Sequence, residues 1–421
     1  MVDNIKKLKI AVIGSGVSGL VASMILSRKH NVTIFEKNNK MGGHVHTHKL
    51  KSSEKIFNVD SGFIVYNERT YPNFIKLLNQ LDVETIDTSM GFSYKDQNDF
   101  EYSGNSLSTL FSKKSNMLNI NFYFFIYNIL RFNRISSIDI SNIDSTITLD
   151  EYLQSKKLSD DVIHKYIIPM GAAIWSTNPS TMKSMPAKFF IRFFMNHGLL
   201  DIKNRPQWKV IKNGSSEYVK KIYKSLKQNN AKIKLDFNIK KVFRTEDKIK
   251  IKDDNNVHTF DKVVLACHSN QALKMIQNPT NDEKNILSSI NYQENRATIH
   301  TDTSVLPNRK KAWSSWNYLS TNETENVVLT YNMNILQNLK SDKVFCVTIN
   351  DPGLIDKKKI IKEIKYEHPL FTPSCLKSQS KKDLINGKNN TYFAGAYWGY
   401  GFHEDGVNSA LDVCKYFDMD L

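Results

Sequence analysis

Cysteine is scarce in this chain: four residues in 421 (Cys267, Cys346, Cys375 and Cys414), with no CxxC or CxH spacing among them. A zinc centre or a disulfide framework is therefore not expected, no metal site is predicted, and the usage fits a reducing compartment. Long apolar runs are missing as well, and nothing reaches the about 18–20 residues needed to span a bilayer. The polar lead MVDNIKK passes at once into an apolar strand, without the apolar core and small-residue cleavage site of a secretory leader. These absences predict a cytoplasmic protein, with peripheral contact at the inner membrane surface left open. Acidic residues are outnumbered 42 to 58 by basic ones, giving a formal charge of +16. The lysines are dispersed, and no RNA-binding signature or aromatic-interleaved basic repeat accompanies them, so nucleic acid is not the expected partner. A basic exterior is the plain reading, and attraction to anionic lipid is its main competitor. Internal repeats and low-complexity linkers are absent too.

What is present suffices for more than one core. A hydrophobic content of 40% over 421 residues exceeds the usual size of one core, so two domains are expected. The first forty residues are the most informative. LKIAVI (8–13) is a continuous β-rich apolar run, as in a buried parallel strand. Gly14-Ser15-Gly16-Val17-Ser18-Gly19 follows, then the helical pattern LVASMILSRK, then a second strand, VTIFEK, ending at Glu36 and Lys37.

The glycines of this turn divide the mechanical work: Gly14 permits the tight turn, Gly16 the close approach to a pyrophosphate, and Gly19 the helix–strand packing. The helix N-terminus offers free amides and a positive dipole end to phosphates. Glu36, about twenty residues on, is placed to accept from ribose hydroxyls. Isolated glycines would mean only a turn; within a complete strand–turn–helix–strand unit they predict dinucleotide binding. A second pair, Gly42-Gly43, followed by His44, brings another backbone segment within reach of an extended dinucleotide. Near the C-terminus a strand, TYFAGAYW, a glycine-containing turn (Gly399 to Gly406) and a helix beginning at Val407 supply donors suited to the N1–C2 carbonyl edge of a reduced flavin.

Between these segments the pattern is mixed. Residues 71–81 read as a helix, 105–200 as largely helical, 215–228 as a helix, and 296–350 as alternating antiparallel strands. A chain that opens on a βαβ unit and returns twice to β-rich segments suits a discontinuous cofactor domain interrupted by substrate-domain segments.

The GxGxxG…E…GG arrangement resembles the flavin-containing amine oxidase superfamily. The strings DSGFIVYNERTYPN (60–73), PMGAAIWST (169–177), NHGLL (196–200), AWSSWNY (312–318), EHP (367–369) and GYGFHEDG (399–406) are similar to a bacterial branch of predicted NAD/FAD-binding, amine-oxidase-like oxidoreductases over nearly the full chain. The resemblance implies an α/β fold: a Rossmann-type two-dinucleotide FAD-binding domain (1–85, 205–285 and 385–421) with an interleaved mixed α+β substrate domain (86–204 and 286–384). It implies FAD, held non-covalently, since no cysteine lies close before the C-terminal glycine turn. The cofactor set it implies is Gly14, Ser15, Gly16, Ser18, Gly19, Glu36, Lys37, Gly42, Gly43, His44, Gly62, Phe63, Val242, Gly395, Ala396, His403, Glu404, Asp405, Gly406 and Val407. Members of the branch are associated with cyclopropane-fatty-acid-synthase-like methyltransferases, which implies a hydrophobic or lipid substrate and redox chemistry on a modified acyl chain. Two departures from characterised amine oxidases stand out: His44 replaces a frequent arginine, and the lysine that supports a flavin-bound water has no counterpart.

Candidate catalytic residues are His403, Tyr66 and Trp316, with His403 as a proton-transfer group because imidazole titrates near neutrality. His403, Glu404 and Asp405 are expected in a turn facing the flavin; helix capping is the structural alternative for the two acids. Trp175, His197, His300, Trp313 and Asn317 are cavity-lining candidates, against core packing as the simpler role. The aromatic segments 121–132 and 187–200, flanked by Lys113, Lys114, Arg131, Arg134, Lys188 and Arg192, are core or tunnel candidates, or interfacial helices. Three functions remain: an oxidoreductase acting on a lipid acyl chain, an amine or polyamine oxidase using oxygen, and a non-catalytic flavin- or lipid-binding partner of a lipid methyltransferase.

Overall fold

The computed structural model describes residues 7–421. The first six residues of the polar lead, on which the reading of the N-terminus rests, lie outside the described residues.

A five-stranded parallel sheet lies at the centre, in the order Lys232–Lys234, Asn31–Phe35, Lys9–Ile13, Lys262–Leu265, Thr391–Phe393. KIAVI, NVTIF and KVVL are buried on both faces, which is why they read as unbroken apolar runs instead of alternating ones. Helix Val17–Leu26 is buried along its whole length. It lies between the sheet and the helices Ser216–Gln228 and His403–Lys415, in a core that joins Leu20, Ile25, Tyr218, Ile222, Val407 and Ala410. On the opposite face an antiparallel meander, Lys241–Arg244, Ile249–Lys252 and Val257–Phe260, sets Ile249 and Ile251 against Ile13, Phe35 and Leu265.

The other layer is a seven-stranded mixed sheet: Ile360–Pro369, Tyr292–His300, Cys346–Ile349, Val328–Asn332, Trp316–Leu319, Phe92–Lys95, Glu101–Ser103. The antiparallel alternation expected for 296–350 is found, but Trp316–Leu319 pairs in parallel with Phe92–Lys95. The helices Ile120–Asp139, Leu149–Ser155, Ile168–Trp175 and Ala187–Asn196 contribute Phe122, Phe125, Phe132, Phe190 and Phe194 to the core on this side. Pro169 cannot donate a helical hydrogen bond, and the path into Ile168–Trp175 runs through a π segment, Ile163–Ile167, which accommodates the missing donor. A hairpin, Thr47–Ser52 with Lys55–Asp60, and a small sheet of Val65–Asn67, Trp208–Ile211 and Thr85–Thr88 bridge the layers.

Candidate cofactor and active site

The turn after the first strand has the geometry its glycines predict. Gly14 has φ +102°, and a side chain there would meet the Ala266 carbonyl oxygen at 2.4 Å. A Cβ on Gly19 would lie 2.0 Å from the Gly14 carbonyl oxygen, so the helix can approach the strand only without one. Gly16 differs: its φ is −65°, open to any residue, and its Cβ direction meets nothing within 4 Å. A side chain at Gly16 would enter open space, as a cradle for a pyrophosphate requires. The first amide of this helix with a carbonyl partner is that of Leu20, which donates to the Gly16 carbonyl at 2.9 Å. The amides before it form the usual anion-facing helix terminus. Glu36, almost wholly buried, ties the turn to the second strand: Oε2 accepts from Ser15 N (2.9 Å) and Oγ (2.6 Å), and Oε1 from Asn38 N and Nδ2 (both 2.9 Å). Ser18 is buried and Lys37 exposed.

The second glycine pair closes over this turn. The Gly42 amide donates to the Ser15 carbonyl at 3.0 Å, and a Cβ on Gly43 would stand 2.9 Å from Gly16 Cα. Phe63 N donates to the His44 carbonyl at 3.0 Å, and Gly62 approaches that same oxygen so closely that its Cβ would lie 2.0 Å away. The C-terminal element comes to the same place. Gly406 packs on the nucleotide helix, where a Cβ would meet Val17 Cγ1 at 2.5 Å and Ser18 Oγ at 3.1 Å. Gly395 N donates to Ser409 Oγ at 2.8 Å, which fixes the strand exit, including Ala396, to the helix that carries Val407. Two helix N-termini thus converge beside the Gly42–Gly43 loop, and these residues fit an extended dinucleotide with a flavin at its far end. Val242 is fully buried in the meander, in the cluster that holds Ile13 and Phe35, and its carbonyl accepts from Gln277 N at 2.9 Å.

One expectation about this element needs correcting. The helix starts at His403, not Val407, so His403, Glu404 and Asp405 form its first turn instead of a preceding loop. Asp405 caps it, Oδ2 accepting from Phe402 N at 2.9 Å; burial raises its carboxyl to about 6 against that bond. Glu404 caps a different helix, Pro72–Gln80, accepting from Asn73 N (3.0 Å) and Phe74 N (2.8 Å). His403 is buried, stacked on Phe63 at 3.4 Å between ring centroids, with Nε2 3.0 Å from the Tyr218 hydroxyl. Burial pushes its imidazole down to about 3, so it does not titrate near neutrality as its residue type suggested.

The three candidate catalytic residues are not gathered at one point. Tyr66 and His403 share a neighbour, Phe74, whose ring centroid is 5.4 Å from one and 5.5 Å from the other. Trp316 sits in the seven-stranded sheet, edge-on to Tyr331 at 5.5 Å. Among the cavity candidates, three are held by hydrogen bonds. His197 bonds the Phe193 carbonyl through Nδ1 (3.0 Å), and His300 bonds Thr348 Oγ1 (2.7 Å) and accepts from Asp302 N (3.1 Å). The Asn317 side chain bonds Ser93, Ser314 and the Thr330 carbonyl. Trp313, half-buried, donates to the Pro307 carbonyl at 2.8 Å. Trp175 does reach the site, donating to the Tyr400 carbonyl at 3.2 Å within a cluster of Phe189, Phe193, Tyr400 and Phe402. This aromatic wall abuts the turn that leads into the His403 helix.

Two features escaped the sequence reading. Tyr218 anchors His403 from a helix whose sequence shows only amphipathic spacing. A histidine group also surrounds Tyr366: His44 lies 5.5 Å from His368 and 5.9 Å from His268, and His46 Nδ1 is 3.1 Å from the Tyr366 hydroxyl. That hydroxyl is 2.9 Å from Ser61 Oγ, which is 2.8 Å from His48 Nε2. Burial lowers His46, His48 and His368 to about 4, so these three are neutral. The alternation His44-x-His46-x-His48 was the available signal.

A parallel sheet carrying a dinucleotide turn, with a second helix terminus closing over it, defines a flavin-dependent oxidoreductase of α/β architecture. The sequence pattern of flavin containing amine oxidoreductases matches residues 17–336, about three quarters of the chain, and the protein belongs to that family. It is an FAD-dependent enzyme with the amine oxidase fold. A fatty acid isomerase from P. acnes that produces CLA superposes with a TM-score of 0.70 at 15% identity, covering 97% of this chain and 98% of that one. A putrescine oxidase bound to putrescine gives 0.69 at 12% identity, covering 98% and 99%. Both likenesses concern the fold. A 4,4'-diapophytoene desaturase of Staphylococcus aureus strain MRSA252 is 40% identical over 81 residues, which is 17% of this chain and only 16% of the desaturase. No described helix is long and apolar enough to cross a membrane.

Proposed function

We propose that this FAD-dependent oxidoreductase acts on a carbon–carbon bond of an apolar acyl chain, desaturating it or running the reverse reduction. The observation that carries the reading is the aromatic wall of Trp175, Phe189, Phe193, Tyr400 and Phe402 beside the His403 helix. The two acids at this point that would meet a cationic amine are already committed, Glu404 to the Pro72–Gln80 helix and Asp405 to Phe402 N. A carboxylate left facing the substrate would have favoured an amine or polyamine oxidase.

Bound FAD supplies two-electron hydride chemistry. The protein's part is to hold the chain against aromatic surfaces, to exclude water, and to present helix amides where negative charge gathers on reduction. The relatives lend support at the level of class: one neighbour of the same fold is a fatty acid isomerase and one partial relative is a desaturase. A methylated or cyclopropane-type acyl chain is the first substrate to test, and a lipid methyltransferase is the class of enzyme that would supply it. We take the parallel sheet and its helices as the cofactor domain, and the seven-stranded sheet and its helices as the substrate domain.

The test is anaerobic mixing of the FAD-loaded enzyme with phospholipids bearing methylated or cyclopropane acyl chains. Bleaching of the oxidised flavin, with an acyl product lacking two hydrogens, is expected. Bleaching by putrescine or spermidine while every lipid stays inert would overturn the reading in favour of the amine oxidase. A flavin that no substrate of either class reduces would favour the non-catalytic partner.

A further inference from the structure

The two aromatic segments that look alike in sequence differ in the fold. Helix Ala187–Asn196 buries Phe190, Ile191, Phe193 and Phe194. Helix Ile120–Asp139 buries Phe122, Phe125 and Phe132 but turns its opposite face outward. On that face Ile120 is 78% exposed, Phe124 58% and Tyr127 59%, with Tyr123 and Leu130 beside them. The spacing of three and four residues puts these side chains in one stripe. Leu118, in the turn just before the helix, is 94% exposed and extends the stripe.

Isolated exposed apolar residues are ordinary, whereas a contiguous aliphatic and aromatic stripe marks an interaction surface. Its electrostatics select the partner. From Leu107 to Ile138 the chain carries Lys113, Lys114, Arg131 and Arg134 and no aspartate or glutamate. Lys114 and Arg134 make no ion pair among the described residues, and both are exposed. Arg131 donates to the carbonyls of Lys156 and Lys157, which holds its positive end at the helix flank. Asp139, at the end of the helix, is paired with Lys156, and Asp99 with Lys113 and Arg309. Apolar side chains bordered by unpaired cations, on a helix too polar to cross a bilayer, match the interface of an anionic membrane.

We propose that helix Ile120–Asp139 and the turn carrying Leu118 dock on an anionic phospholipid bilayer, with Leu118, Ile120, Phe124 and Tyr127 entering the acyl boundary and Lys114 and Arg134 meeting headgroup phosphates. The docking surface is continuous with the core: the buried face of this helix joins the same cluster as Phe193, which stacks at 5.1 Å on Phe402 beside the cofactor helix. Membrane docking gives an acyl substrate an apolar route that avoids water. That purpose rests on the acyl-chain reading; the binding itself does not.

The experiment is sedimentation of the full chain with large vesicles of phosphatidylcholine, with or without phosphatidylglycerol, over a range of salt. Wild type is expected to bind the anionic vesicles and to release as salt rises. The double variant L118D/F124D should lose roughly tenfold or more in partitioning. K114A/R134A should bind more weakly with a flatter salt dependence. All substituted side chains are exposed, and an unchanged flavin content and thermal midpoint certify folding; L118S/F124S replaces the first variant if it fails that check. Absence of wild-type binding at low salt, or L118D/F124D binding as wild type does, overturns the proposal. So does a wild-type dimer that ignores vesicles and is abolished by L118D/F124D, since a second copy would then be the occupant. Because no turnover is measured, the outcome is independent of whether lipids bleach the flavin.

Discussion

Gly16 and Gly19 lie three residues apart in one turn, yet their substitution by alanine should fail in different ways. In Gly19→Ala the new Cβ falls 2.0 Å from the Gly14 carbonyl oxygen and 3.1 Å from Ala266 Cβ, both on the sheet side. An alanine in a helix is otherwise favoured over glycine by about 1 kcal/mol. Relieving the clash means lifting the helix from the strand, an overpacking cost of about 1–3 kcal/mol or more. The net is a loss of stability even without cofactor. In Gly16→Ala the backbone stays at φ −65° and the methyl enters open space, so the flavin-free protein should change by less than about 0.5 kcal/mol. The methyl then occupies the place a pyrophosphate needs. At an FAD concentration about 100 times Kd, wild type gains about 2.7 kcal/mol from binding; a tenfold weaker variant at the same concentration gains about 1.4 kcal/mol. Urea midpoints with and without FAD, and flavin retained after gel filtration, separate the two cases. Full flavin retention by Gly16→Ala would refute the assignment of this turn to the pyrophosphate. Undiminished flavin-free stability in Gly19→Ala would refute the packing argument.

Acid should destabilise the protein through its histidines. Burial lowers His46, His48, His197, His300 and His368 to about 4 and His403 to about 3, from 6.5. The unfolded chain takes up these protons below about pH 6.5 while the folded chain excludes them. The histidine contribution is therefore complete above that pH and lost as pH falls toward the folded values, by at most about 1.4 kcal/mol per pH unit for each excluded histidine, and the two carboxyls raised to about 6, Asp60 and Asp405, offset only part of it. A urea midpoint that stays level or rises between about pH 7 and pH 5 would contradict this. Glu404→Ala removes both acceptors from the start of the Pro72–Gln80 helix and should cost about 2 kcal/mol, with faster amide exchange in that helix. Unchanged exchange there would show that the carboxylate is not what holds the helix.

The cofactor end of the molecule was legible because its determinants are local. Parallel strands buried on both faces leave apolar runs, and the turn between them needs glycines at fixed offsets. The start of the last helix was misplaced because Gly406 looks like a turn residue. It lies inside the helix, and the reason for glycine there is Val17, far away in sequence. Nothing local announces that Phe92–Lys95 runs parallel to Trp316–Leu319, or that His268 and His368 join the His44 alternation. The two aromatic segments show the same limit: periodicity finds an apolar face, and only the packing decides whether another element covers it.

The convergence of the two helix termini bears on how the enzyme is made. Cys414 Sγ lies 4.0 Å from the Ala22 carbonyl, across 392 residues of sequence. The nucleotide turn leaves the ribosome well before the strand Thr391–Phe393 and the helix that close its site. Until they arrive, the strand Lys262–Leu265 remains an open sheet edge and one side of the nucleotide helix is bare. Flavin capture therefore waits for that strand and helix, and how long the unfinished edge stays exposed to misassociation is set by the synthesis of the intervening chain.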